Sequence, residues 1–462
     1  MKWKIKVSLV LIGGAITALG QGCDGFAPAG IEGRISSSLG PHIDPEPEFT
    51  DTPGEGEEFP EPPNRAASTC SGTVVNVSTV GEMTAALAAA QPGHVITLAP
   101  GTYTINSSIG VSANGTASQP ICLRAETFGT VTLRSNTMEM FKIAGAHWTF
   151  ENLAVQGICG SDALCEHAFH VVQGAHFWTL RNSVMRDFNA MIKVNGQAGT
   201  YPSDVLIESN QFYNTRGRNV GVLTFIDVVG GDRYIIRGNY IADFHKDGGN
   251  YVSYGAFLKG NGTNGLFENN LVVCSKNLPH NGDARIGLSF GGGGTGEQYC
   301  QDGGCATEHR NGTLRNNIIM NCSDVGVYLN KSQNTQIYNN TILNTAGIDA
   351  RFSTTTASVR NNIIQSKDGS AIANRDGGTH TASNNLIRTS GAAVSDIFVN
   401  PGAGNLEFTS GAGALLSPGV TIPGYSKDFC GDSYTGAPNL GAIKYAASSS
   451  CPVTVKQLYD SL

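Results

Sequence analysis

Apolar and polar positions alternate along this chain in a short phrase that returns many times: apolar, any, Asn, Asn, any, apolar. It reads Phe267-Glu-Asn-Asn-Leu-Val, Leu314-Arg-Asn-Asn-Ile-Ile, Ile337-Tyr-Asn-Asn-Thr-Ile, Val359-Arg-Asn-Asn-Ile-Ile and Ala382-Ser-Asn-Asn-Leu-Ile. Looser copies precede it at Phe150, Leu180, Ile207 and Ile236. Taking the second Asn as the mark, positions 210, 239, 270, 317, 340, 362 and 385 are separated by 29, 31, 47, 23, 22 and 23 residues. A period in the twenties marks a solenoid, in which one coil cannot bury its apolar face alone. Each copy is a short β-branched run bounded by Gly, Asn, Ser and Thr, which predicts strands and not helices. An Asn at the same corner of successive coils tolerates a left-handed backbone and can pass amide hydrogen bonds along the stack. The pattern predicts an all-β chain, a single-stranded right-handed parallel β-helix.

The ends break the pattern. Lys2, Lys4 and Lys6 precede an apolar run from Val7 to Leu19, as in an export signal, and the run is too short to span a bilayer. It closes Leu19-Gly-Gln-Gly-Cys23, which resembles a bacterial lipoprotein signal (1–22). That resemblance implies lipidation of Cys23 and an envelope-bound protein, with plain secretion as the alternative. Residues 23–69 are rich in Pro, Glu and Gly with no apolar recurrence, and read as a disordered acidic spacer. The β-helix is expected over 70–446, opened by an Ala-rich capping helix at Val80–Gln91, with a short tail at 447–462. The segment from Asp432 to Ile443 is expected to cap the last coil.

Composition narrows the partners. A formal charge of -7 provides no basic field, which argues against nucleic acid, and nothing indicates more than a monomer. The 11 cysteines, with Cys23 set aside, form an even set suited to disulfides in an exported protein. Cys159 with Cys165, Cys300 with Cys305, Cys430 with Cys451, and Cys274 with Cys322 are the expected pairs; a zinc site lacks any Cys-x-x-Cys support.

The opening of the ordered region, EMTAALAAAQPGHVITLAPGTY followed by Gln119-Pro-Ile-Cys-Leu-Arg-Ala and Gly129-Thr-Val-Thr-Leu, resembles the chondroitinase B and alginate lyase family over about residues 74–157. The resemblance implies a pectin-lyase-like β-helix that degrades an acidic, uronic-acid-containing polysaccharide by calcium-assisted β-elimination. Lys259, in Phe257-Leu-Lys-Gly ahead of Phe267-Glu-Asn-Asn, matches the family's lysine base in context. The family's acid is an arginine on the following coil; Arg285 is the available candidate, although Ser289 sits nearer the expected slot.

The residues themselves point to the same region. Aligning coils on the Asn marks places Lys193, Asp227 and Lys259 in one polar stripe, with Asn330 and Arg351 downstream and His170 upstream. Adjacent coils would hold such side chains about 4.8 Å apart. β-Elimination needs a base for the C5 proton, a positive charge against the uronate carboxylate and a donor to the leaving oxygen. Asp227, Asp232, Asp243 and Asp247 are the candidate calcium ligands, with Asp243 and Asp247 equally suited to turns. Lys193, His245, Tyr254, His280 and Arg351 are candidate proton donors or sugar contacts. The interval lengthened to 47 holds a Gly run and the Cys300–Cys305 loop, and a long excursion from a repeat is where function often sits. Against an enzyme stands a non-catalytic surface β-helix for glycan binding or adhesion, in which the stripe is an ion-pair network. A glycosidase lacks its paired carboxylates and ranks last.

Overall fold

The computed structural model describes residues 65–196, 199–416, 418–446 and 449–461. The expected export signal, Cys23 and most of the expected acidic spacer lie outside the described residues. Strands of three to eight residues wind into three long parallel sheets of 12, 11 and 10 strands, a right-handed parallel β-helix. The repeat phrase sets its register. Phe150, Leu180, Ile207, Ile236, Phe267, Leu314, Ile337, Val359 and Ala382 follow one another as partners in the twelve-strand sheet. Most of these side chains point into one continuous core that also contains Trp148 and Trp178.

The two Asn of each phrase divide the corner between them. The first takes the left-handed conformation (φ 55° at Asn269, 54° at Asn316, 53° at Asn339), which turns the chain from the twelve-strand to the eleven-strand sheet. The second is buried, and its amide joins a ladder: Asn210, Asn239, Asn270, Asn317, Asn340 and Asn362 each donate Nδ2–H to the Oδ1 of the next, at 2.9–3.0 Å, ending on Asn385. A buried amide is tolerated only when so satisfied.

The N-terminal end is closed by the helix Val80–Ala88, shorter than its sequence pattern by about a turn. Thr79 caps it by accepting from the Glu82 amide at 3.1 Å, while Glu82 receives the Ser78 amide at 2.7 Å. Met83 and Leu87 enter the core. The C-terminal end is not capped in the same way. The last coil strand is Leu386–Arg388, and the remaining chain folds back along the outer face of the eleven-strand sheet. There Val394, Phe398, Leu416, Phe429, Ala442 and Val455 cover outward-facing Tyr240, Leu271, Ile318 and Leu343. The expectation of an end cap from Asp432 to Ile443 is thereby corrected. These strands carry apolar residues on both faces, a pattern that asks for cover along the sheet and not only at its end.

Among the described residues five disulfides are formed, the four expected and Cys70–Cys122.

Candidate active site

The outer face of the ten-strand sheet bears two polar columns, where the sequence alignment expected one. Lys142, His170, Lys193, Asp227, Phe257, Ser289, Tyr328 and Asp349 are successive partners. The second column holds Asn195, Val229 and Lys259, and further on Asn330, Arg351 and Arg375. Lys259 therefore pairs with Val229 and lies two residues along from the Lys193–Asp227 column. The interval between Asn marks is not constant, so counting back from the mark misplaced it by one outward position. Lys193 Nζ donates to Asp227 Oδ1 at 2.8 Å.

Continuing the register past Leu258 and Phe290 brings Gly291 next to Lys259 on the following coil. Its φ of +80° and a would-be Cβ only 1.8 Å from the Asn330 carbonyl oxygen admit glycine alone. No side chain thus stands where the resemblance implies an acid, and the Gly291–Gly294 run leads the chain away from the sheet. What opens is a cleft of two connected lobes, about 330 Å³ and 540 Å³, which share Val252, Tyr254, Gly293 and Thr295. The first lobe contains Lys193, Asn195, Asp227, Lys259 and Tyr299. The second contains Glu308, Tyr328, Asn330, Lys331, Arg351 and Arg375. Lys259 Nζ lies 4.5 Å from the centroid of Phe257, whose ring is packed edge-on by Tyr254 at 5.3 Å. In the second lobe Arg351 pairs with Asp376 at 2.5 Å and reaches the Tyr328 hydroxyl at 3.4 Å. Burial pushes the Tyr254 and Tyr328 phenols up, so both remain protonated at neutral pH.

Several expected site residues are elsewhere. Arg285 is fully buried and is the register partner of Ser253, below the cleft. Its guanidinium donates to Asp283 (2.6 Å), Ser275 Oγ (2.9 Å) and the carbonyls of Cys274, Leu278 and Pro279 at 2.7–3.0 Å, and it meets His245 Nδ1. With every donor directed into this network, Arg285 does not face the cleft as a general acid, and that assignment is corrected. Ser289, nearer the slot by count, is also buried and donates to the Gly291 and Tyr328 carbonyls. His245 lies between Asp283 and Asp247, and His280 is half-exposed with Nδ1 3.1 Å from Asp283 Oδ1. Both belong to the Arg285 cluster and not to the cleft.

The four aspartates do not converge. Asp243 (φ +59°) accepts the amides of Lys276, Asn277 and Leu278 at 2.7–3.0 Å, the work of a turn residue. Asp232 receives Thr263 through amide and hydroxyl at 2.9 Å and 2.8 Å. Asp247 holds His245, and Asp227 holds Lys193. Calcium takes six to eight oxygens around one point, so this set does not fit the ion. Among the described residues the only close group of three potential ligands is Cys300, Cys305 and Glu308, and there the two sulfurs are joined in a disulfide. Of the expected residues the cleft brings together Lys193, Asp227, Tyr254, Lys259 and Arg351. Sequence reasoning missed Glu308, Tyr328 and Arg375. Arg375 falls on the register of Arg351 and was legible there, whereas Glu308 lies in the long interval where no register runs.

Two segments match family models: residues 77–198 that of "Chondroitinase B", and 280–395 that of "Right handed beta helix region". The first ends before Lys259 and includes only Lys193 and Asn195 of the cleft. Pectate lyase Pel9A is similar in structure at 15% identity over 81% of this chain and 97% of its own, with a TM-score of 0.56. An alginate lyase from Paenibacillus sp. str. FPU-7 is 15% identical over 69% and 97%, with a TM-score of 0.42. No curated protein matches the chain. The chain has the right-handed β-helix found in polysaccharide lyases.

Proposed function

We propose that this protein is an exported polysaccharide lyase that cleaves a uronic-acid-containing glycan by β-elimination, with Lys259 as the base. The observation that supports this most is the position of Lys259: a lysine 8% exposed, on the floor of an open two-lobed cleft, with further cations in each lobe. Neutral Lys259 Nζ takes the C5 proton, the C5 electrons form the C4–C5 double bond, and the bond from C4 to the leaving oxygen breaks. That oxygen takes a proton from Tyr254, whose raised pKa keeps the proton available. Lys193, and Arg351 for a neighbouring sugar, set positive charge against the uronate carboxylates. Pectate, for which Pel9A is named, is an acidic polysaccharide of the class such a cleft would accept.

The resemblance implies calcium assistance, and the aspartates expected to hold the ion do not form a site; no step here runs through it. Five disulfides favour an oxidising compartment. Anchoring through lipid on Cys23 is the accompanying proposal, tested by the mass of the mature N-terminal peptide.

The test is absorbance near 232 nm, where the unsaturated product absorbs, on alginate, pectate, chondroitin sulfate and dermatan sulfate, with and without EDTA. A rise reduced about 10²–10⁴-fold by Lys259→Ala supports the lyase and its base. No rise on any of them, with retained binding to one of these glycans, puts the chain in the non-catalytic class. A rise lost in EDTA restores calcium with ligands other than those named.

A further inference from the structure

The insert that lengthens the coil after Phe290 returns to the floor of the cleft at Gly260 and Asn261, immediately after Lys259. The Gly260 amide donates to Glu308 Oε2 at 2.9 Å, and the Gly260 carbonyl accepts the Gln301 amide at 3.0 Å. Both backbone groups of that residue are therefore held by the insert. Glu308 Oε2 also receives the Thr295 hydroxyl at 3.2 Å, from the cleft wall. Its main chain accepts from Asn261 and donates to Lys331, each at 2.8 Å. The Cys300–Cys305 disulfide closes the loop that carries Gln301, and Tyr201 Oη donates to the Cys300 carbonyl at 3.1 Å from an earlier coil. At 3% exposure, a carboxylate here is desolvated and close enough to Lys259 to interact electrostatically.

We infer that Glu308 is a positioning residue for Lys259: a buried carboxylate, delivered by the insert, that clamps the backbone beside the base and sets the base's charge. This rests on Lys259 as base but is testable apart from it. The groups that face Lys259 are Lys193 and Asp227 from preceding coils, Tyr254 on its own strand, Tyr299 on the insert, Glu308, and Lys331 beyond Glu308. Ionised Glu308 favours the ammonium form. Glu308→Gln keeps an acceptor for the Gly260 amide and removes the charge, so Lys259 should lose its proton more readily.

The experiment is a titration of ¹³C-dimethylated lysines in the whole protein by NMR, with the Lys259 signal assigned through Lys259→Arg. In the wild type the Lys259 methyl signal should show two inflections, the lower one following Glu308. In Glu308→Gln the lower inflection disappears, and the main midpoint falls by on the order of one pH unit. An unchanged midpoint overturns the inference. If Glu308→Gln does not fold, the wild-type curve decides alone, and a single inflection overturns it. The acidic limb of the rate profile should move by the same amount. If Lys259→Arg retains full activity while the NMR shift is present, the base assignment fails and the role of Glu308 stands.

Discussion

Two clusters of charged side chains arise within neighbouring coils, and what surrounds them separates them. Around Arg285, the guanidinium, Asp283 and His245 satisfy one another and a ring of backbone carbonyls, all below the surface. Around Lys259, the cations and phenols line open space: Lys193 has a single carboxylate partner, Tyr254 spans both lobes, and Gly291 leaves the neighbouring position without a side chain. The first arrangement is a structural bolt and the second is a binding surface. Charge content and burial alone do not distinguish them; the separation rests on whether the cluster is enclosed by protein or lines a cavity.

The largest effect that could break this contrast is on stability. Arg285→Ala would take from Asp283 its guanidinium partner, leaving it the His245 and His280 imidazoles, and would leave three carbonyls without their donor. Removing one member of a buried ion pair costs about 3–5 kcal/mol. An unfolding free energy from urea titration within about 1 kcal/mol of wild type would mean that the network is not structural, and would return Arg285 to the list of candidate acids. Lys259→Ala is expected to retain cooperative unfolding while losing turnover.

That contrast also explains what was legible. The fold could be read because the Asn phrase reports two physical requirements at once, a left-handed corner and a satisfied buried amide, in every coil from Asn210 to Asn385. The same regularity located Lys193 and Asp227 as partners. It failed for Lys259 by two residues, since corner insertions differ between coils and a count from the Asn mark absorbs them silently. Arg285 was misread for a related reason: the excursion from Cys274 to Asp283 lets a charged residue enter a strand facing inward, which no alternation pattern announces. Glu308 gave no signal, because its role depends on a loop folding back onto Gly260.

Within the cleft the next effect is catalytic. Tyr254→Phe removes one hydroxyl and keeps the ring against Phe257. If Tyr254 donates to the leaving oxygen, kcat falls about 10²–10⁴-fold with little change in KM. If it only contacts sugar, KM rises and kcat is kept, and Tyr328, also protonated and in the second lobe, becomes the donor to test.

The smallest effect sharpens the comparison most, because the two clusters should respond to pH with opposite sign. Burial by itself raises Asp283, but the hydrogen bond and charge of Arg285, helped by His245, overcome it and hold the carboxyl well below the ordinary range. A depressed carboxylate stabilises the fold fully above the unfolded value of about 4, and the contribution is lost as pH falls towards the folded value. Glu308 is shifted the other way: burial dominates over the Gly260 amide and the charge of Lys259, and raises it. A raised carboxylate favours the fold when protonated, and that contribution is lost as pH rises through its folded value. The deficit of Asp283→Asn, measured by urea unfolding, should therefore shrink from pH 7 to pH 3. Glu308→Gln should be at its most favourable relative to wild type near pH 7 and converge with it on acidification. Curves that slope the same way for both substitutions would mean that Glu308 is paired as fully as Asp283, and the distinction between bolt and cleft would not extend to the insert.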